Sequence, residues 1–392
     1  MKDMKKLLLL MVVIMCSCSG KHQEYADFFT LSIDPEDSQI AHIEDFFDEI
    51  KIFPLETNDT VLINTIYNIV PSNKYIYILD RRSSSIFIYS DCGKIKKVIN
   101  GQGYGPNEYT KVSSFAVNKE KKELYLIDNQ LKKRFVYDLD GNYLCVDTLP
   151  YKIDQMLFLG EGREIWARSV IDHEDGYVMN CFDHNKLVAQ YHPYHYENGA
   201  TVHFWESPFV LFKVFKENVY AHIMYNDTIY KYDFDSFKGG FVIELKHAIP
   251  KKMIDLPMSS KYDKIYNYLK ENKKVAHSPY LYMLKDDLVG ISYQYSGYNC
   301  FYIYDKLKKK SRSFLGPYIG NVHIVDILYG TFARDNCFYY VLDQSKYQSL
   351  EEYKKKEIQK SYPELSKILD KTSIDENPIL MVAKLNDKIL QI

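Results

Sequence analysis

Two stretches of this chain repeat one another. KYIYILD (residues 74–80) is followed by SIFIYSDCGK (85–94), and KELYLID (122–128) is followed by RFVYDLDGN (134–142). In each, an alternating apolar run ends in aspartate, crosses a polar turn and is answered by a second run. Weaker copies follow: REIWARS with GYVMNCFDHNK, ENVYAHIMY with TIYKYDFDS, DLVGISY with CFYIYDKLKKK, and NCFYYVLD with PILMVAKLNDK. Six copies at intervals of roughly 40 to 70 residues fall in the range of radially repeated β-sheets. A unit of this kind cannot bury its apolar faces alone, so the repeat constrains the architecture more than any other feature.

Each copy supplies the two middle strands of a blade, and segments such as VSSFAVN (112–118) and KVINGQG (97–103) supply the strands that flank them. Alternation puts Tyr75, Tyr77 and Leu79 on one face and Ile76 and Ile78 on the other. Both sets are apolar, as blades packed on two sides require. The abundance of aromatic residues, 36 tyrosines and 21 phenylalanines, suits pleated, half-buried strands. The expected fold is all-β, a six-bladed β-propeller over residues 44–392. Its first strand, EIKIFPLE (49–56), pairs with the last blade and closes the ring, which removes free edges. Two helical insertions interrupt it. SSKYDKIYNYLKENKK (259–274) carries Tyr262, Ile265, Tyr266 and Leu269 at helical spacing behind Ser259 or Ser260 as cap. In SLEEYKKKEIQK (349–360), Ser349 and Glu352 form a capping box, and Ser361 and Glu364 start a short second helix.

The N-terminus has a different character. Three lysines and one aspartate in residues 1–6 precede LLLLMVVIM, a run too short to span a bilayer as a helix and suited to a signal peptide. CSCSG follows, with the small Ser17 before Cys18. This resembles the lipobox of bacterial lipoproteins and implies a leader over residues 1–18 with lipid on Cys18. Residues 19–43, polar and acidic, are expected to be a tether. The implied location is the bacterial envelope, anchored to the outer membrane. SGKHQE after Cys18 lacks an acidic run and favours the periplasmic side over the cell surface. A net charge of -2 supplies no field that would draw nucleic acid. Cys92, Cys145, Cys181, Cys300 and Cys337 are odd in number and scattered, neither a disulfide framework nor a CxxC metal site, and are expected to be small buried apolar residues.

GQGYGPNEY (101–109) has three glycines in five positions, like a phosphate-binding loop. A dinucleotide fingerprint needs G-x-G-x-x-G opening a helix, and a P-loop needs Gly-Lys-Ser/Thr. Here the spacing is G-x-G-x-G, Pro106 follows, and a strand pattern comes next. Gly101, Gly103, Gly105, Pro106, Glu108 and Tyr109 therefore read as a structural loop between blades, with positive φ or close approach at the glycines. Glu108 would accept backbone N–H groups there and Tyr109 would pack over the glycines.

Taken together, FFDEIKIFPLETNDTVLINTIYNIV, YIYILD, IFIYSDCGK, GQGYGPNEY and ENPILMVAKL resemble the landmarks of a family of six-bladed β-propeller lipoproteins in Bacteroides-type bacteria, itself similar to NHL-type propellers. The resemblance spans about residues 45–390. It departs at Asn107, where the family more often has glycine. It implies fold and envelope location and no agreed activity.

Residues that carry chemistry are few. His192, His195 and His203 form the one histidine cluster, with His222 or Glu197 as further zinc ligands if the chain folds back. No spacing matches an established metal motif, and a surface loop is the plainer reading. Asp80, Asp128, Asp138, Asp233, Asp305 and Asp343 end strands. They either line a channel mouth, holding calcium or acting as acid and base, or serve the turns that begin there, which is the preferred reading. Trp166 lies in a strand and belongs to the core, whereas Trp205 beside His203 is the better binding candidate. No nucleophile elbow is present. The expectation is a non-catalytic binding or scaffolding module recognising a glycan, a peptide or an envelope protein, with no cofactor. The alternative is a hydrolase or lyase with a divalent metal in the central channel.

Overall fold

The computed structural model describes residues 27–168, 176–194, 210–215, 218–223, 227–234, 236–254, 258–285, 287–334 and 337–386. Its strands form six sheets, and together they make a six-bladed β-propeller. Blade one holds strands 66–71, 75–80, 85–90 and 95–99. Blade two holds 114–118, 123–128, 133–138 and 143–148, and blade three holds 155–160, 163–167, 176–183 and 186–194. Blade four holds 210–215, 218–223, 228–233 and 236–245, and blade five holds 277–285, 288–295, 298–305 and 310–319. Blade six takes 328–334, 337–342 and 379–385 from the C-terminal part of the chain and Phe47–Pro54 from the N-terminal part. In every blade the two quoted runs are the middle strands.

The pairing of Phe47–Pro54 with Ile379–Leu385 is antiparallel, from Ile379 opposite Pro54 to Leu385 opposite Phe47, and it closes the ring as expected. The stretch read as a tether is a different matter. Asp27–Ile33 runs parallel to the outer strand of blade four, Asp27 opposite Gly239 and Ile33 opposite Leu245. Gln39–His42 does the same on blade five, Gln39 opposite Phe314. The alternation in DFFTLSI sends Leu31 and Ile33 into the core. Polar neighbours obscure that pattern because one face of an outermost strand stays wet.

The alternating positions separate as the pleat requires. Tyr75, Tyr77 and Leu79 join the apolar cluster between blades one and two, while Ile76 and Ile78 join the one between blades six and one. Burying each such side chain stabilises by about 1.5–3 kcal/mol. Tyrosine does a second job here. Its ring fills the seam between blades and its hydroxyl reaches the neighbour's backbone or rim: Tyr77 Oη donates to the Leu139 carbonyl at 2.9 Å, Tyr75 Oη to Asp140 at 2.8 Å and Tyr89 Oη to the Glu56 carbonyl at 3.2 Å. Cys181 and Cys300 are buried as expected, but Cys92 and Cys145 are exposed. Cys92 sits in a turn, and Cys145 is on an outer strand whose residues face solvent.

Both insertions are helical. The first holds Lys251–Ile254 and Met258–Glu271, which begins one residue before Ser259, so the serines lie inside its first turn. The second holds three helices, Gln344–Ser349, Glu352–Ser361 and Pro363–Lys371. The expected capping box does not form. Ser349 ends the first helix and donates to the Lys346 carbonyl at 2.8 Å. Asp343 is the working cap, accepting from the Ser345 and Lys346 N–H groups at 2.9 and 3.1 Å. Helix 352–361 starts at Glu351 without a side-chain cap.

Four-stranded antiparallel blades fix the two faces of the disc. Connections into each inner strand and those between second and third strands lie on one face, and all other turns lie on the opposite face. Among the described residues the second face, here called the turn face, carries turns of two to four residues, such as 72–74, 91–94 and 306–309. The first, the loop face, carries 55–65, 100–113, 246–276 with its helices, and the three helices of 343–378.

Candidate functional site

The glycine stretch joins blades one and two on the loop face. Tyr109 is fully buried in the seam between them. Its hydroxyl accepts from the Gly101 N–H at 2.9 Å and donates to the Ile99 carbonyl at 3.3 Å. Glu108 Oε2 accepts from the Gly105 N–H at 2.8 Å. None of the three glycines has a left-handed φ; proximity is what requires them. A Cβ on Gly103 would stand 2.0 Å from Glu108 Oε2, and one on Gly101 3.3 Å from the Tyr109 ring. Glu108 and Tyr109 thus serve the loop's own backbone, and Tyr104 at its tip is 99% exposed.

The strand-end aspartates do not come together. Asp80, Asp128 and Asp343 end second strands and lie on the loop face. Asp138, Asp233 and Asp305 end third strands and lie on the turn face. Asp80 is fully buried and accepts from the N–H groups of Asn64, Thr65 and Arg82 and from Asn64 Nδ2 and Ser83 Oγ, all within 3.1 Å. Asp128 repeats this with the N–H groups of Thr110, Lys111, Gln130 and Leu131 and with Thr110 Oγ1. Burial raises each carboxyl and these donors outweigh it, so both titrate below the usual carboxylate range. Each ties the incoming connection to the following turn. On the turn face Asp138 accepts from Asn142 N–H and Nδ2 at 2.7 and 2.8 Å, and Asp305 from the Leu307 and Lys308 N–H groups.

Of the histidine cluster, His195 and His203 lie outside the described residues, as do Glu197, Trp205 and Cys18. His192, in the outer strand of blade three, contacts the Tyr232 hydroxyl through Nε2 and stacks edge-on to Tyr230, 4.6 Å between centroids. Burial lowers its pKa. His222 is buried in the second strand of blade four. Trp166 is core, its ring 4.2 Å from Phe182 and its Nε1 donating to Glu164 at 2.9 Å.

One group among the described residues has metal-like proximity: Asp34, Glu36 and His247, with ligand atoms within 4.8 Å of one another. It sits on the rim where the N-terminal strand passes blade four, not in the channel. Lys246 Nζ already lies 2.5 Å from Asp34 Oδ2.

Polar and aromatic groups do converge around the axis on the loop face, where inner strands begin and second strands end. Arg81 follows the second strand of blade one and lies over the ring of Tyr67, 4.5 Å from its centroid. In blade three, Arg168 lies 4.4 Å over Tyr151 and is buried. Burial raises the pKa of Tyr67, Arg81 opposes this, and the charge of Asp154, which precedes the inner strand of blade three, adds to it. Further along the channel, Lys213 of blade four donates to the Ala333 carbonyl of blade six at 3.1 Å and lies 5.3 Å over the Tyr280 ring of blade five. These groups come from separate blades and share no spacing, so no sequence pattern announces them. The aspartates at 80 and 128, which the repeat did reveal, only mark where each second strand ends.

A ring of six sheets places the chain among the six-bladed β-propellers. It is similar to an exported protein of Bacteroides fragilis at TM-score 0.68 and 17% identity, over 91% of this chain and all of that one. It is also similar to a member of the DUF4221 family from Bacteroides vulgatus at TM-score 0.51 and 11% identity, over 87% of this chain and 97% of that one. No curated protein matches it. Residues 28–384 match the family described as a domain of unknown function, DUF4934, and the chain belongs to that family. The match begins at residue 28, within the outer strand on blade four, in keeping with that segment's place in the fold.

Proposed function

We propose that this protein is an exported, non-catalytic binding module of the bacterial envelope, held by lipid on Cys18. Its loop face recognises a glycan, a peptide or an envelope protein. One observation carries the reading. The loop face gathers the long connections and, at the axis, two arginine–tyrosine stacks and Asp154, whereas among the described residues the connections within blades on the turn face are turns of two to four residues. Half-buried aromatic rings with neighbouring charges suit sugar rings and peptide groups, because the rings supply apolar contact and the charges fix orientation. The B. fragilis neighbour is described as exported, which agrees with the leader read from residues 1–18.

Thermal unfolding against host and plant glycans, peptidoglycan fragments, peptides and divalent metals tests this, with Arg81→Ala as the site variant. A ligand at 100 times its Kd adds about 2.7 kcal/mol to native stability. The expected result is a rise in midpoint with a glycan or peptide that Arg81→Ala abolishes. A shift with metal alone, reversed by chelator, or a ligand shift unchanged in the variant, would overturn the assignment.

A further inference from the structure

We infer that the disc sits with its turn face toward the bilayer and presents its loop face away from it. The inference rests on the reading of Cys18 as the lipid acceptor, and it follows from where the chain enters the fold. Asp27 pairs with Gly239, near the start of the outer strand of blade four. That strand begins at Ser236, directly after the turn that Asp233 and Ser236 bracket on the turn face. Running parallel to it, the N-terminal strand climbs toward the loop face and reaches it at Ile33, opposite Leu245. The chain therefore leaves the body of the protein from the turn-face half of the blade-four rim.

Reach then decides the orientation. Nine peptide steps separate Cys18 from Asp27, and a fully extended chain covers at most about 3.4 Å per step, hence about 30 Å. To lay the loop face on the bilayer, the linker would have to run back up the rim from the level of Gly239 to that of Leu245. That is six residues, about 20 Å at 3.3 Å each. It would then have to clear the connection 246–276, whose helix Met258–Glu271 is about 10 Å across. Together these exhaust the reach with nothing left for a path around side chains. The turn face needs no such detour, and its turns of two to four residues let it approach a flat surface closely. The long connections and the arginine–tyrosine mouth face the opposite way, where a ligand or partner has access.

The test uses the full-length protein, expressed with its own leader in a Bacteroides host and reconstituted into vesicles that carry a headgroup energy-transfer acceptor. Cys92, Cys145 and Cys337 are replaced by serine, and a donor dye is attached through Leu307→Cys or Tyr104→Cys. Leu307 is 74% exposed in a turn of the turn face, and Tyr104 is 99% exposed on the loop face. Transfer to the bilayer is expected to be strong from position 307 and weaker from 104 by at least a factor of two. Equal transfer, or stronger transfer from 104, in protein that partitions with vesicles overturns the orientation alone. Failure to partition, or partitioning that survives Cys18→Ala, overturns the anchor and the orientation together.

Discussion

Asn377 is the residue on which the closure of the ring can be tested most sharply. It is fully buried where blade six meets blade one. Oδ1 accepts from the Ile63 N–H at 2.7 Å, and Nδ2 donates to the Glu56 and Val61 carbonyls at 2.8 and 2.9 Å and to Tyr89 Oη at 3.2 Å. The backbone N–H donates to Thr57 Oγ1 at 2.7 Å. One side chain thus fixes the connection 55–65 to the last strand, across more than 300 residues of sequence. In Asn377→Ala the Glu56 carbonyl keeps Tyr89 as donor, but the Ile63 N–H and the Val61 carbonyl lose their side-chain partner in a dry seam. At about 1–3 kcal/mol for each unsatisfied group, the cost is roughly 4 kcal/mol. Unfolding entropy of about 2.1 cal/mol/K per residue, over some 350 residues, gives ~0.7 kcal/mol/K and a fall in Tm of about 5 °C. Asn377→Asp separates hydrogen bonding from volume. It keeps the acceptor for Ile63 but turns a carboxylate oxygen toward two carbonyls, so its pKa rises and its stability falls as pH increases through that value. Differential scanning calorimetry of the purified variants at two pH values reads both effects. A Tm for Asn377→Ala within 1 °C of the native protein would refute the claim that this network holds the seam.

Four further outcomes follow from particular contacts. Tyr109→Phe should cost about 1–2 kcal/mol by denaturant unfolding, because it strands the Gly101 N–H. Tyr340→Phe should be neutral or stabilising, since the Tyr340 hydroxyl is buried without a hydrogen-bond partner; the reverse order would contradict both assignments. Gly240→Ala should destabilise by at least 3 kcal/mol or abolish soluble expression, because Gly240 has φ +151° and a Cβ would lie 2.0 Å from the Ile229 carbonyl oxygen. His323 is buried, accepts from the Val325 N–H through Nδ1, and has a pKa pushed down to about 4 by that burial. It stays neutral in the fold while the unfolded chain binds a proton below pH 6.5. Stability is therefore full above pH 6.5 and declines by about 3 kcal/mol as pH falls toward 4. His323→Asn, which retains an acceptor for Val325, should flatten that decline in urea titrations across the range. Asp80 and Asp128, held below the usual range, contribute a separate loss only below pH 4.

The architecture was legible because a blade writes its requirements locally. Two apolar faces show as YIYIL, and an aspartate that must satisfy the N–H groups of two loops shows at the strand end. The outer strands were less legible in proportion to their exposure. Tyr143–Thr148 is mostly exposed, and Asp27–Ile33 buries one face only, so neither carries a two-sided apolar run. Helix starts failed for a similar local reason. Ser349 and Glu352 have the spacing of a capping box, yet Asp343 stands at the end of the preceding strand and starts the helix earlier, which leaves Ser349 at a C-terminus.

The mouth of the channel was illegible for a reason that bears on how such a protein acquires a ligand. Tyr67 and Lys213 are strand residues, Arg81 and Arg168 directly follow second strands, and Tyr151 and Asp154 lie in the connection into an inner strand; each satisfies the pattern of its own blade, and only the curvature of the ring brings them near one axis. A substitution at any of them alters the mouth while leaving the repeat intact. Asp80, next to Arg81 in sequence, and its counterpart Asp128 have no comparable freedom, since each closes a buried network. Recognition should therefore be tunable through Arg81 at a site framed by the buried Asp80. Exchanging Arg81 for glutamate should change which charged ligands shift the midpoint while costing under 1 kcal/mol of stability, whereas Asp80→Asn should cost about 2–3 kcal/mol by weakening charge-assisted bonds. Comparable losses for the two variants in calorimetry would mean that mouth and scaffold are not separable in this propeller.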